Sequence, residues 1–434
     1  MRWRLLALIL GLVVLVPPGV GIVIRAARER EIRALSRELD ASIRSFDGRR
    51  DVRPVHRGEP IDGNARAAID EALAEMGDLS ALGTEDVSRG IREGAPTAET
   101  LELARRHSKA LLRLRSATRR TYSWNATDLS RGAEVDVPPI VGLLRAVKLL
   151  LAQALTGSPD ECLRIVADSI RLGQDLAPGA GFIGLMAVPI MTHLAVPVAQ
   201  RCAPRADEAS LRRAAAELRV LATSQPGVAE ALEIEAIFYG VTARHEIVEA
   251  PLIPRDVRGF QRWWYRNVVL EAWREVGSGA PRRWRRIGET GFPGVLPAWQ
   301  AELDRFAGSP NPLVGPVFGG GHLRRYIVRT GEALALIEAL AISHATMAEQ
   351  VGTGAVAARP AWVDDPALAD PFTGEPLVWR FVDGGTALEI SWRTPGHGPR
   401  PDGEGEPDRP GSPDSERLSF PLVPAGDAAS TAQP

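Results

Sequence analysis

Apolar positions fall along this chain first as one unbroken run and then as a long series of helical stripes. The run is Leu5–Ile24, twenty residues closed by Arg2 and Arg4 before it and by Arg25 and Arg28 after it. At 1.5 Å rise per residue such a run reaches about 30 Å, the thickness of a bilayer's hydrocarbon core. Residues 1–24 are therefore expected to form an N-terminal transmembrane anchor. A cleaved signal peptide needs a shorter apolar stretch and a small-x-small site, and Val20-Gly21-Ile22 is a poor one. No cysteine closes the run for lipid attachment. Beyond it, Ile32, Leu35, Leu39 and Ile43 recur at helical spacing among alternating charges, predicting an amphipathic juxtamembrane helix and linker over 25–58.

From 59 to 360 the pattern predicts a helical body. Its stripes cover Asp62–Met76, Pro96–Arg119, Ile140–Leu155, Asp160–Leu176, Phe182–Cys202, Asp207–Thr223, Val228–Val248, Phe260–Val276, Leu296–Phe306 and His322–Gln350, with Pro or Gly at the breaks. Ser158-Pro159-Asp160-Glu161 supplies a helix start with proline at the first position and acids in the first turn. Gly181–Val198 carries no formal charge outside His193 and is near the lower length limit for a span. Its histidine and two prolines assign it to the core of the body. Within 361–393, Leu377–Val382 and Ala387–Trp392 flank Asp383-Gly384-Gly385-Thr386 and predict a β-hairpin. Residues 394–434 are rich in Pro, Gly, Asp and Ser, and a disordered tail is expected there. The expected fold class is mainly α: a transmembrane helix, an antiparallel helical-hairpin bundle or irregular α-solenoid, and a small C-terminal β-hairpin.

This order of parts resembles a group of uncharacterised bacterial proteins with one N-terminal anchor, a long helical body and a C-terminal Asp-Pro-Phe-x-Gly-x-Pro-Leu hairpin. The matching stretches are the anchor running into Arg25-Ala26-Ala27-Arg28-Glu29-Arg30, the Ser158–Leu163 hairpin and Asp370–Arg380. The resemblance implies the layout and no biochemical activity. The two ends also resemble type II secretion pseudopilins. The chain departs from these in having no prepilin cleavage motif, no glutamate inside the apolar run and a much larger body.

A net charge of −2 with 24% charged residues gives no chain-wide field, and no nucleic-acid partner is expected. Arginine makes up 50 of the 52 basic residues, Lys109 and Lys148 being the exceptions, so a single arginine cluster carries little weight. Arg25, Arg28, Arg30, Arg33 and Arg37 outnumber the charges before the run, which by the positive-inside rule would keep the body in the cytoplasm. Glu29, Glu31 and Glu38 stand at helical spacing to pair with them, and long domains cross largely regardless of charge. The reading favours a single-pass cell-membrane protein with an extracytoplasmic body.

Chemistry is thinly marked. His-Glu-x-x-His, Gly-x-Ser-x-Gly and phosphate-loop patterns are absent, and no cofactor or metal is expected. Gly319-Gly320-Gly321-His322 precedes a helix and reads as a hinge more readily than an anion cradle. The densest feature is an interleaving of indoles and guanidinia: Trp263, Trp264, Arg266, Trp273, Arg282, Arg283, Trp284, Arg285 and Arg286. It is a candidate binding surface for an envelope protein or an anionic membrane face, weighed against tryptophans that merely pack the core. At about 100° per residue Trp264 and Trp273 face opposite sides of one helix, so one of them should be exposed. Cys162 and Cys202 are a candidate disulfide: antiparallel pairing of their helices brings them to the same end, about 9 Å out of register, an offset that kinks at Pro189 and Pro197 would absorb in part. The leading function is a non-enzymatic scaffold or binding protein at the membrane. The alternatives are an envelope enzyme assembled from distant helices and a secretion-assembly subunit.

Overall fold

A computed structural model of the chain describes residues 25–46, 51–52, 54–83, 85–125, 128–134, 138–248, 260–277, 279–314, 322–353, 368–383, 386–393 and 415–422. The expected anchor, Gly319–Gly321 and most of the expected tail lie outside the described residues. Those described are mainly helical. Helix α1 covers 25–46. It is followed by α2 (Ala65–Met76), α3 (Glu85–Glu93), α4 (Ala98–Arg106), α5 (Ser108–Ala117), α6 (Ile140–Thr156), α7 (Pro159–Leu176), α8 (Gly181–Leu185), α9 (Ala187–Cys202) and α10 (Glu208–Thr223). Then come α11 (Val228–Val248), α12 (Phe260–Val276), α13 (Ala280–Gly288), α14 (Gly291–Ala307) and α15 (His322–Thr353).

Local chemistry sets many of the helix starts. The side chains of Asn64, Thr97, Ser158 and Asp207 each accept a hydrogen bond from a backbone N–H in the first turn of the helix they precede. Helix α7 is the axis of the main core and is buried on every side through most of its length. It packs against α6, α9 and α10, while α15 lies across α9 and α10. In a solenoid each hairpin would meet only its neighbours; α15 instead reaches back over elements far earlier in the chain, which is bundle packing. Gly173 makes the closest approach possible, since a Cβ there would stand 2.9 Å from the Ala187 carbonyl oxygen. Cys162 and Cys202 close the same pair of helices as a disulfide with Cα atoms 6.3 Å apart.

The apolar stretch Gly181–Arg205 is long and apolar enough to cross a membrane, yet most of it is buried inside the body. It is two helices, α8 and α9, and Met191, Ala195, Val198 and Ala199 are fully buried in the main core. A second core joins α11, α13, α14 and the start of α15 around Trp284, Trp299 and Phe306. A third joins Leu35, Leu39 and Phe46 of α1 to Ile237 and Val241 of α11 and to Val269 and Trp273 of α12.

Two small sheets complete the fold. Strand β1 (Asp51–Val52) runs antiparallel to β3 (Arg120–Ser123), and β2 (Ile61–Asn64) runs parallel to it, in the order β1-β3-β2. The C-terminal sheet is β4 (Val378–Val382), β5 (Ala387–Arg393) and β6 (Ser415–Pro421), all antiparallel. The expected hairpin is thus a three-stranded sheet, its third strand drawn from the segment read as tail. Leu418, Phe420 and Leu422 alternate toward the body, and Phe420 and Leu422 are buried in the main core. A two-stranded hairpin is marginal in water, and the third strand supplies the missing apolar face. Two further departures are local. The stripe expected over Pro96–Arg119 is broken at His107 into α4 and α5, and α13 forms where no helix was expected, with Arg282 and Arg286 exposed on either side of a buried Trp284.

Candidate functional site

The third core does not close. Where α1, α11 and α12 meet, they leave a cavity of about 230 Å³. Its walls are Leu39 from α1, Ala236, Tyr239 and Ala243 from α11, Val269 and Trp273 from α12, and Leu313 beyond α14. Small residues create the space: Ala236, Gly240 and Ala243 are spaced three and four apart and share one face of α11. Gly240 also sets the distance to α1, since a Cβ there would lie 2.9 Å from Leu39 Cδ1. Asp40 and Arg244 bind α1 to α11 through a 2.7 Å ion pair, and Glu31 pairs with Arg274 to bind α1 to α12.

Polar groups reach the cavity at one edge. The Tyr265 hydroxyl donates to Glu246 Oε2 at 3.3 Å, and both residues line the cavity. Burial together with the Glu246 carboxylate pushes the Tyr265 phenol up to about 12. Burial, reinforced by Glu235 and Tyr326, also raises Tyr239. Both phenols therefore stay protonated at neutral pH, as donors on an apolar wall.

The structure divides the tryptophan–arginine patch. Trp263 and Trp264 are 54% and 49% exposed, whereas Trp273 is 4% exposed and Trp284 fully buried. The half-turn between Trp264 and Trp273 puts one indole in solvent and the other in the cavity wall. Arg266 donates to the Val248 carbonyl at 2.7 Å, fastening the start of α12 to the end of α11. The Trp284 indole N–H donates to Glu302 Oε1 at 2.9 Å, an atom that also accepts from Arg283 and Arg305. Arg285 bridges Glu233 and Glu289, and Arg282 and Arg286 are exposed. Trp284, Arg283 and Arg285 are thus joined to buried or neighbouring acids within the body and do not form one surface with Trp263 and Trp264.

A second polar assembly was invisible in the sequence. Asp168, completely buried on α7, accepts Arg57 Nη2 at 2.6 Å on both oxygens and Arg115 Nε at 2.8 Å. His56 Nε2 lies 3.3 Å away. Burial alone would raise this carboxyl, but the His56 hydrogen bond and the charges of Arg57, His56 and Arg115 outweigh it and hold the group at about 2. Glu217 of α10 stands 3.5 Å from Arg57 and is pushed up by its own burial. The cluster pins residues 54–60 onto α7.

Two other carboxyls are strongly shifted and lie away from the cavity walls. Burial raises Glu235 to about 7, and its Oε1 accepts the Phe182 N–H at the start of α8. Burial and the nearby Asp370 raise Glu338 to about 9 where the C-terminal sheet meets α15. Asp370 itself organises the Asp-Pro-Phe-Thr-Gly-Glu-Pro turn, accepting the Phe372 and Arg393 N–H groups at 2.8 and 2.9 Å. No group of three or more His, Cys, Asp or Glu suited to a metal is present among the described residues. Comparison of the chain with protein-family models, curated proteins and solved structures gives no match.

Proposed function

We propose that this chain is a membrane-tethered binding module that holds the acyl chain of a lipid in the cavity between α1, α11 and α12. The observation that carries the reading is the cavity itself, about 230 Å³ walled almost wholly by apolar side chains. A dry apolar cavity of about 150 Å³ accepts a benzene ring, so this one is large enough for several methylene groups. Helix α1 supports the choice of a lipid, since it follows the Leu5–Ile24 run directly and carries Leu39 into the cavity wall. The Glu246–Tyr265 pair marks the polar edge of the cavity, where the ligand's polar end would stand.

In this reading the apolar run anchors the chain in the cell membrane and the body is extracytoplasmic. The Cys162–Cys202 bond supports that side, because such bonds persist in oxidising compartments. The test uses the full-length protein in detergent, stripped of co-purifying lipid and titrated with a fluorescent polyene fatty acid. The expected result is saturable binding of one probe per chain, abolished by Ala243→Phe, which fills the cavity, with the melting temperature little changed. Equal binding by wild type and Ala243→Phe, or no saturable binding by wild type, would overturn the proposal.

A further inference from the structure

Among the described residues the large exposed apolar side chains are Leu112, Val141, Ile183, Val248, Trp263, Trp264 and Val378. Val248, Trp263 and Trp264 belong to one place, the end of the α11–α12 pair where Arg266 on α12 donates to the Val248 carbonyl. Arg28, in the first described turn of α1, is close enough to Arg266 for the two charges to repel. Among the described residues here, Glu29 pairs with Arg25 at 3.0 Å, Glu31 with Arg274, and Glu246 with Tyr265. Two neighbouring arginines beside two exposed indoles fit a ligand that is anionic at its surface and apolar beneath.

Position in the chain selects the occupant. Arg28 stands four residues after Ile24, the last residue of the apolar run. The tip therefore lies at the level where the chain leaves the run. We propose that the tip formed by Val248, Trp263, Trp264, Arg28 and Arg266 seats on the anionic face of the bilayer that anchors the chain. Indoles settle at the headgroup level, where their apolar rings and N–H donors are both satisfied, and the guanidinia meet lipid phosphates. Each arginine near an anionic surface changes partitioning about fivefold. The inference depends on the run being an anchor, and it stands whether or not the cavity binds an acyl chain.

The test uses full-length Trp264→Cys and Leu112→Cys, each labelled with an environment-sensitive fluorophore while the native cysteines remain bonded. Leu112 is 64% exposed on α5 and serves as the off-tip control. Both proteins are reconstituted into vesicles of phosphatidylcholine with phosphatidylglycerol, and vesicle flotation checks the anchor separately. The expected result is a blue-shifted label at 264 that nitroxide lipids quench, an unquenched label at 112, and relief of quenching by Arg28→Glu with Arg266→Glu. Labels at 264 and 112 that are equally unquenched in floated vesicles overturn the proposal. So does quenching at 264 that ignores both the charge reversals and the removal of anionic lipid.

Discussion

Replacing Asp168 by asparagine keeps the side chain's shape and removes the charge that His56, Arg57 and Arg115 surround. Two magnitudes bear on the cost. The carboxyl lies at about 2 in the folded chain against an ordinary 3.8, and at about 1.4 kcal/mol per pH unit this is about 2 kcal/mol of stability at neutral pH. Breaking a fully buried pair typically costs about 3–5 kcal/mol, because the surviving charge stays dry. Here Arg57 and Arg115 retain side-chain exposures of 21% and 18% and have Glu217 and Glu161 as second partners. The lower end applies, and Asp168→Asn should cost about 2–3 kcal/mol. The sign over pH follows from a folded value below the unfolded one. This stabilisation is complete above the unfolded carboxylate range and is lost as pH falls through about 2. Chemical denaturation of both full-length proteins in detergent at several pH values reads the difference directly. The gap should be full from pH 7 down to about 5 and shrink between about 4 and 2, with faster amide exchange in residues 54–64 of the variant. A gap under about 0.5 kcal/mol at pH 7, the range of ordinary surface changes, or one that does not narrow in acid, would refute the reasoning.

Reducing the Cys162–Cys202 bond, which spans a sequence separation of 40, should destabilise the body by about 4 kcal/mol on the loop-entropy relation, seen as a lower melting temperature with reductant and no such response in a Cys162→Ser, Cys202→Ser double variant. Trp284→Ala should cost about 3–5 kcal/mol, since its ring is fully buried and its N–H serves Glu302, whereas Trp263→Ala should stay within about 0.5 kcal/mol in detergent; similar losses at the two sites would contradict this division of the patch. Glu338→Gln should stabilise the chain at neutral pH. Its carboxyl is raised to about 9, so the wild type loses stability as pH rises from the unfolded carboxylate range toward that value. The gain should approach about 1.4 kcal/mol for each pH unit across that window, and denaturation midpoints that do not separate with rising pH would speak against it.

The sequence made the helices legible because their signals are local. Ser158 and Asp207 announce α7 and α10 through their own side chains, and Ile32, Leu35 and Leu39 mark the face of α1 that packs. Strand β6 was missed for the opposite reason. Leu418, Phe420 and Leu422 sit in a stretch whose composition is that of a tail, and only their period of two carries the strand. The cavity left no local trace at all. Leu39, Ala236 and Trp273 are brought together by the packing of three helices, and the small residues on α11 look like ordinary helix formers. Asp168 and its partners His56 and Arg57 are more than a hundred residues apart, so no motif spacing links them. The indole–arginine patch was visible as composition, but which rings face solvent depended on helix rotation, and on Glu302, whose pairing with Trp284 no periodicity announces.

The most direct test of acyl-chain binding is photo-crosslinking in the membrane. Full-length protein reconstituted with a diazirine-bearing fatty acid is irradiated, digested and mapped by mass spectrometry. Binding in the cavity predicts adducts on the peptides spanning residues 236–246 and 265–276, suppressed by an excess of unlabelled fatty acid and by Ala243→Phe. Adducts confined to the Leu5–Ile24 run, or cavity adducts unaffected by Ala243→Phe, would contradict it.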